Sequence, residues 1–231
     1  VFGKGLPFIP RLTAVVFRCW LGIMTRVRLE GRENIPREGP LLIICNHASN
    51  ADGPVLMAHF VPALGRRLSW LGKEEALHWP VVGWFVGQNG VVGIRRGAGD
   101  LEAFRTVRKA LDEGRPLVVF PEGTRSRTGA LQEAKEGATV LAMRSGAPIL
   151  PIAIVGSQRF WPRGKRLPRP FRGMKVRVGP VFQLATERGG DRHEATRAAT
   201  VELMRHIAAL LPPEQQGVYA EPERALPGPS R

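Results

Sequence analysis

The sequence predicts an α/β fold, a mixed and mainly parallel sheet flanked by helices. Three observations carry that expectation. Apolar runs at 41–45, 117–120 and, with Pro151 inside it, 149–155 are too short for helices and do not alternate, as expected of strands buried on both faces. Between the runs lie segments with helical spacing, such as the one that Asp100 can cap and Gly114 can stop. The apolar runs at 41–45 and 117–120 pass directly into small and polar residues, Asn46-His47-Ala48-Ser49 after the first and Pro121-Glu122-Gly123-Thr124 after the second.

The elements follow in order. Residues 12–25 are apolar but are interrupted by Arg18 and flanked by Arg11, Arg26 and Arg28. A spanning helix needs about 20 apolar residues, and no small-residue cleavage site of a signal peptide follows. Arg11 and Arg18 share a helical face opposed by Val15, Val16, Trp20 and Ile23, a pattern that fits a helix lying in a membrane interface and equally one packed on its own domain. Residues 30–40 are turn-rich and lead to the first strand at 41–45, with a helix at 54–64 and a second strand at 68–71. Helical spacing over 74–88 is broken by Pro80, and a third strand at 89–94 ends in Arg95-Arg96-Gly97. A helix from Asp100 to Glu113 places Leu101, Phe104, Val107, Ala110 and Leu111 on one face, before the strand at 117–120. A helix at 135–145 closes at Gly146, a fifth strand at 149–155 is interrupted by Pro151, and a sixth occupies 174–178. The basic, Pro-rich loop 157–172 between them carries Phe160, Trp161 and Phe171. A last amphipathic helix runs over 191–211. The expected organisation is an N-terminal membrane-associating segment (1–30), one α/β domain (31–211) and a disordered tail (212–231).

The chain of 231 residues can bury one sizeable core. Its net charge of +14 draws it toward polyanions. Nucleic acid is disfavoured, because the aromatic residues sit mostly in apolar runs rather than interleaved with the basic ones. Two cysteines, Cys19 and Cys45, make no disulfide framework. Neither they nor His59, His78, His193 and His206 offer ligand spacing, so no metal is expected.

Loops 46–52, 93–97 and 121–127 all leave the C-terminal ends of expected strands, where open α/β sheets bind ligands. His47 and Asp52 would stand about 140° apart on a regular helix. Through a bent loop they can pair, the carboxylate holding one imidazole nitrogen protonated and leaving the other as a base. Against this stand two plainer roles, a structural histidine and an aspartate that merely caps its helix. Arg96 and Arg125 offer guanidinium forks for phosphate, Gly123 lets backbone amides come close to it, and Lys135 opens a helix beside it. The Walker loop, Gly-x-Gly-x-x-Gly and Gly-x-Ser-x-Gly are all absent. Cys45 and His47 could form a thiolate pair, but a cysteine inside Leu-Leu-Ile-Ile-Cys also reads as a small buried hydrophobe.

Taken together, Asn46-His47-x-x-x-x-Asp52, Phe120-Pro121-Glu122-Gly123-Thr124-Arg125-Ser126 and Leu150-Pro151-Ile152 resemble the glycerolipid acyltransferase family of the PlsC type, the 1-acylglycerol-3-phosphate (lysophosphatidate) acyltransferases. The similarity covers about residues 30–180, including Lys73-Glu74-Glu75 and Gly83-Trp84, and the N-terminal helix resembles the family's membrane-docking segment. The resemblance implies His47 as general base and Asp52 as its orienting partner. It implies Arg96 on the acceptor phosphate, with Glu122, Gly123, Thr124 and Arg125 on the glycerol phosphate; Leu150-Pro151-Ile152 goes with the acyl donor or with packing. The implied reaction moves an acyl chain from acyl-CoA or acyl carrier protein to the 2-hydroxyl of lysophosphatidate, giving phosphatidate, with no cofactor. The implied place is the cytoplasmic face of the cell membrane, against anionic lipids. Gly93, Arg95 and Ala134 depart from the family pattern and bear on the acceptor: glycerol 3-phosphate, a lysophospholipid or a glycolipid are alternatives. A non-catalytic anion-binding module is a more distant one.

Overall fold

The computed structural model describes residues 6–73, 78, 80–94, 100–184 and 191–220. Seven strands form one sheet: β1 (Val27–Glu30), β2 (Leu42–Cys45), β3 (Ser69–Lys73), β4 (Val91–Ile94), β5 (Leu117–Val119), β6 (Ile149–Val155) and β7 (Met174–Val178). They lie in the order β1-β7-β6-β2-β5-β3-β4. Every neighbouring pair is parallel except β6 with β7. The mixed, mainly parallel α/β fold expected from the sequence is therefore the fold observed.

The helices are α1 (Phe8–Met24), α2 (Asp52–Leu64), α3 (Pro80–Gln88), α4 (Asp100–Asp112), α5 (Glu136–Ser145), the single turn α6 (Ser157–Phe160) and α7 (Arg192–Ala208). Alternate residues of β2, with Leu41 just before it, divide the core. Leu41, Ile43 and Cys45 join a cluster with α1 and α2, whereas Leu42 and Ile44 join one with α4, α5 and α7. Helices thus cover both faces, and each fully buried aliphatic side chain contributes about 1.5–3 kcal/mol.

Four sequence expectations are corrected. Residues 27–30, expected as the end of the N-terminal membrane-associating segment, form an edge strand, paired in register with β7 from Val27 with Met174 to Glu30 with Arg177. The sheet therefore begins inside the expected N-terminal segment. Pro151 does not interrupt β6: the antiparallel ladder with β7 starts one residue later, at Ile152 with Val178, so no ladder donor is needed from the proline. Its ring sits over Gly179, where a Cβ would approach it to 2.9 Å. Residues 212–220 are ordered: 3₁₀ turns Pro213–Gln215 and Gly217–Tyr219 lie on the domain, with Leu131 N–H donating to Gln215 O at 2.9 Å and Ala134 N–H to the Tyr219 hydroxyl at 2.9 Å. Turns of this kind leave no amphipathic period to read. Residues 221–231 lie outside the described ones.

The fourth correction concerns α1, which is apolar on two sides. Ala14 and Leu21 are buried in the α2 cluster with Phe17, Trp20 and Met24 packed against it, and Trp20 meets Phe160 and Trp161 with ring centroids 5.7 and 5.8 Å apart. Trp20 therefore belongs to the inner face and not with Val15, Val16 and Ile23. Those three, with Phe8 and Leu12, form an exposed stripe in which Ile23 is 74% accessible. Among the described residues no helix is long and apolar enough to cross a membrane.

Candidate active site

The parallel strands bring the C-terminal ends of β2, β5 and β6 to one edge, and the residues after them build the site. Asn46 ends β2 by bonding to β6 beyond the regular ladder: its amide donates to Ile154 O at 3.1 Å and accepts from Ile154 N–H at 2.8 Å. This fixes the direction in which the chain leaves the sheet. His47 is then held by the loop after β5, its N–H donating to Glu122 Oε1 at 2.8 Å and its carbonyl accepting from Ser126 N–H at 2.7 Å.

The imidazole is set from two further directions. Its ring stacks on Phe120, with centroids 4.1 Å apart and planes inclined by 18°. Its Nδ1 lies 2.9 Å from Asp52 Oδ2. The same oxygen accepts the N–H groups of Ala48 and Ser49, each at 2.8 Å. Asp52 is fully buried in the first turn of α2, where the helix dipole favours a negative charge. Its carboxylate turns back to the loop and does not cap the helix, so the plain capping role is not the one the residue has. A buried acceptor oxygen at Nδ1 fixes the proton there and leaves Nε2, on a side chain 22% accessible, as the basic nitrogen.

Cys45 is buried behind this pair. Burial pushes its thiol well above the ordinary range, and the charges of Asp52 and Glu122 push the same way, so it stays protonated and is no nucleophile. Ser49 and Ser126 are also committed, their hydroxyls donating to Trp161 O at 2.8 Å and Ala130 O at 2.7 Å.

Glu122 has a different place from the one expected. It is 3% accessible, and besides His47 N–H it accepts the Gln132 backbone and side-chain N–H groups at 3.1 and 3.2 Å. Burial raises its carboxyl above the ordinary value, and these hydrogen bonds oppose the rise. The carboxylate serves the protein's own amides, tying β2 to the loop after β5, rather than facing a ligand. Gly123 and Thr124 are exposed at the rim. Arg125 reaches back to Asn50 through Nη1, and its carbonyl accepts from Arg163 at 2.5 Å. Lys135 is exposed at the N-cap of α5, and its backbone N–H donates to Pro121 O at 2.9 Å. Its side chain passes over Gly123. The structure thus brings His47, Asp52, Gly123, Thr124, Arg125 and Lys135 to one edge of the sheet; Arg96 lies outside the described residues.

The motifs named from sequence include Phe120 and Asn46 but give them no role, and Asn50 and Gln132 were not singled out. The available signal was position alone, each falling in or beside the motifs that contain His47 and Glu122. Gly123 is also constrained by its backbone, with φ of +66° and a Cβ that would come 2.9 Å from Lys135 Cδ. Gly123→Ala is expected to cost about 1–2 kcal/mol from the left-handed backbone and to displace the lysine; denaturant unfolding with an unchanged midpoint would show that the loop has room to spare.

Comparison with known proteins decides the family. The family described as Acyltransferase matches residues 26–155. The chain belongs to that family. A 1-acyl-sn-glycerol-3-phosphate acyltransferase of Pseudomonas aeruginosa is 32% identical over 94% of this chain and 86% of its own length. A lyso-ornithine lipid O-acyltransferase of the same organism is 34% identical over 64% of this chain and 55% of its own. The crystal structure of the LPA acyltransferase PlsC from Thermotoga maritima shares the fold, with a TM-score of 0.67 and 25% identity, covering 87% of this chain and 78% of that one. The chain spans about half the length of several other curated relatives it matches. The edge that carries His47 and Asp52 lies within the matched residues and is the candidate site.

Proposed function

We propose that this acyltransferase transfers a fatty acyl chain from acyl-CoA or acyl carrier protein to the 2-hydroxyl of 1-acylglycerol 3-phosphate, giving phosphatidate, and needs no cofactor. The observation that carries the reading is the His47–Asp52 pair, with an imidazole nitrogen left basic, on the same edge as the cations Arg125 and Lys135. The cations hold the acceptor phosphate, which places its hydroxyl near His47. His47 Nε2 takes the hydroxyl proton as the oxygen bonds to the thioester carbonyl carbon. Asp52 stabilises the imidazolium that results. When the C–S bond breaks, the proton passes from Nε2 to the departing thiolate, and the imidazole returns to its starting form. The test is mass-spectrometric product analysis with lysophosphatidate and acyl thioesters; absence of phosphatidate with every donor would overturn the reading.

The identity to the relative named for lyso-ornithine lipid favours that acceptor as a second reading. A panel of both acceptors with one labelled donor separates them. Under the first reading Arg125→Ala is expected to raise the acceptor KM roughly tenfold to a hundredfold, the range for a lost charge-assisted hydrogen bond, with a smaller change in kcat. An unchanged KM would remove Arg125 from the phosphate site.

The site of action we propose is the cytoplasmic membrane face, with the chain lying on the bilayer rather than crossing it. What supports this is the exposed α1 stripe, which continues past the helix end to Phe171, 85% accessible, whose N–H donates to Met24 O at 2.7 Å. Leu167, 78% accessible, stands in the same loop among Arg163, Lys165, Arg166, Arg169 and Arg172. Apolar side chains ringed by cations suit an interface with anionic lipid.

A further inference from the structure

A cavity of about 820 Å³ opens between α1, α2 and β1. Its polar lining is entirely basic: Arg18 from α1, Arg32 and Arg37 from the segment after β1, and His59 from α2. Apolar residues complete it, among them Val27 and Leu29 of β1 and Val15 of the exposed α1 stripe. His59 stands seven residues after Asp52 on α2, about two turns or roughly 10 Å along the helix, so the cavity is set apart from the His47 edge.

Three guanidinium groups gathered without a carboxylate in the lining would ordinarily separate or recruit acids. Among the described residues Arg18, Arg32 and Arg37 make no ion pair. Glu33 lines a separate, smaller hollow that shares Arg32 and Arg37. Burial, and the charge of Arg18 beside it, lower His59 to about 4, so the imidazole is neutral at ordinary pH, and its single N–H can donate to an anion. We propose that this cavity is a binding site for the phosphate headgroup of an anionic membrane phospholipid, separate from the acceptor site, with the lipid's chains lying along the α1 stripe. The guanidinium forks match phosphate oxygens. The shared residue Val15 is what favours a lipid over a soluble phosphate, since it joins the charged cavity to the apolar stripe. The proposal rests on the membrane reading given above.

The experiment compares wild-type protein with Arg18→Gln/Arg37→Gln and with Arg197→Gln/Arg205→Gln, whose exposed arginines lie on α7 across the sheet. Binding is measured to vesicles of phosphatidylcholine alone and with phosphatidylglycerol added, with no acyl donor present. Wild-type protein should bind both and prefer the anionic vesicles. The first double variant should lose about tenfold or more of its affinity for the anionic vesicles, as two surface cations engaged with lipid would give, and retain binding to the neutral ones. The α7 variant should lose far less. Equal losses in both variants would reduce the effect to bulk charge and overturn the site. Wild-type protein that binds neither vesicle would overturn the membrane reading and the site with it. Wild-type protein that binds both equally would overturn the site alone. Turnover of a short-chain soluble acceptor should be unchanged in Arg18→Gln/Arg37→Gln. A raised KM for acyl-CoA would assign the cavity to the donor's phosphates instead, and competition by inorganic phosphate at concentrations equal to the lipid would assign it to free phosphate; either overturns the lipid assignment.

Discussion

His47→Ala is expected to lower kcat by about a thousandfold, the middle of the range for losing a general base, while the protein stays folded. The second half of that expectation follows from how His47 is held. Its N–H and carbonyl are bound by Glu122 and Ser126 whatever the side chain, so the loop keeps its course when the ring is removed. The variant leaves a slot bounded by Phe120 and Asp52, and added imidazole should recover part of the rate by occupying it. Initial rates with saturating acceptor, beside thermal unfolding curves, provide the check. Turnover within a few-fold of wild type would remove His47 from the chemistry, and a collapsed unfolding transition would show that the ring is needed for the fold.

Much of this site was legible because its residues lie where strands end, and strand ends are marked by an abrupt change from apolar to small and polar residues. Leu42–Cys45 and Leu117–Val119 are such strands, and they place His47 and Glu122 on one edge without further information. What Glu122 does there was not legible. A carboxylate after a strand reads the same whether it faces a ligand or the protein's own amides; the choice depends on where Gln132 returns, ten residues later. The strand Val27–Glu30 was hidden for another reason. It lies at the sheet edge with only alternate side chains half-buried, so its four residues carry two outward charges and read as a continuation of the basic N-terminal segment. The two apolar faces of α1 raised the opposite difficulty. A helix with one apolar face states where it packs, but one apolar on opposite sides admits both the domain and a membrane, and Trp20 could be assigned to the inner side only once Phe160 and Trp161 were placed against it.

Asp52→Asn should separate the charge of the pair from its shape. In the wild type one oxygen, Oδ2, accepts three N–H groups, those of His47 Nδ1, Ala48 and Ser49. An asparagine must put its carbonyl oxygen at that position, because its NH₂ group would meet three donors. The NH₂ then occupies the place of Oδ1, which is buried and has no hydrogen-bond partner among the described residues. The substitution therefore keeps the loop and the Nδ1 proton in place, at a cost of about 1–3 kcal/mol for a buried amide left unpaired. Under the proposed mechanism it removes the negative charge that stabilises the imidazolium once the acceptor's proton has moved. Under that mechanism the charge acts in the transition state and not on bound substrate, so kcat should fall, by less than the roughly ten-thousandfold that a wrong tautomer brings, with little change in the acceptor KM. Asp52→Ala should do the same to kcat and also release the Ala48 and Ser49 amides, lowering stability further. If Asp52→Asn kept kcat within a few-fold of wild type, the carboxylate would be an anchor for the loop rather than a partner in proton transfer, and the base would have to work without it.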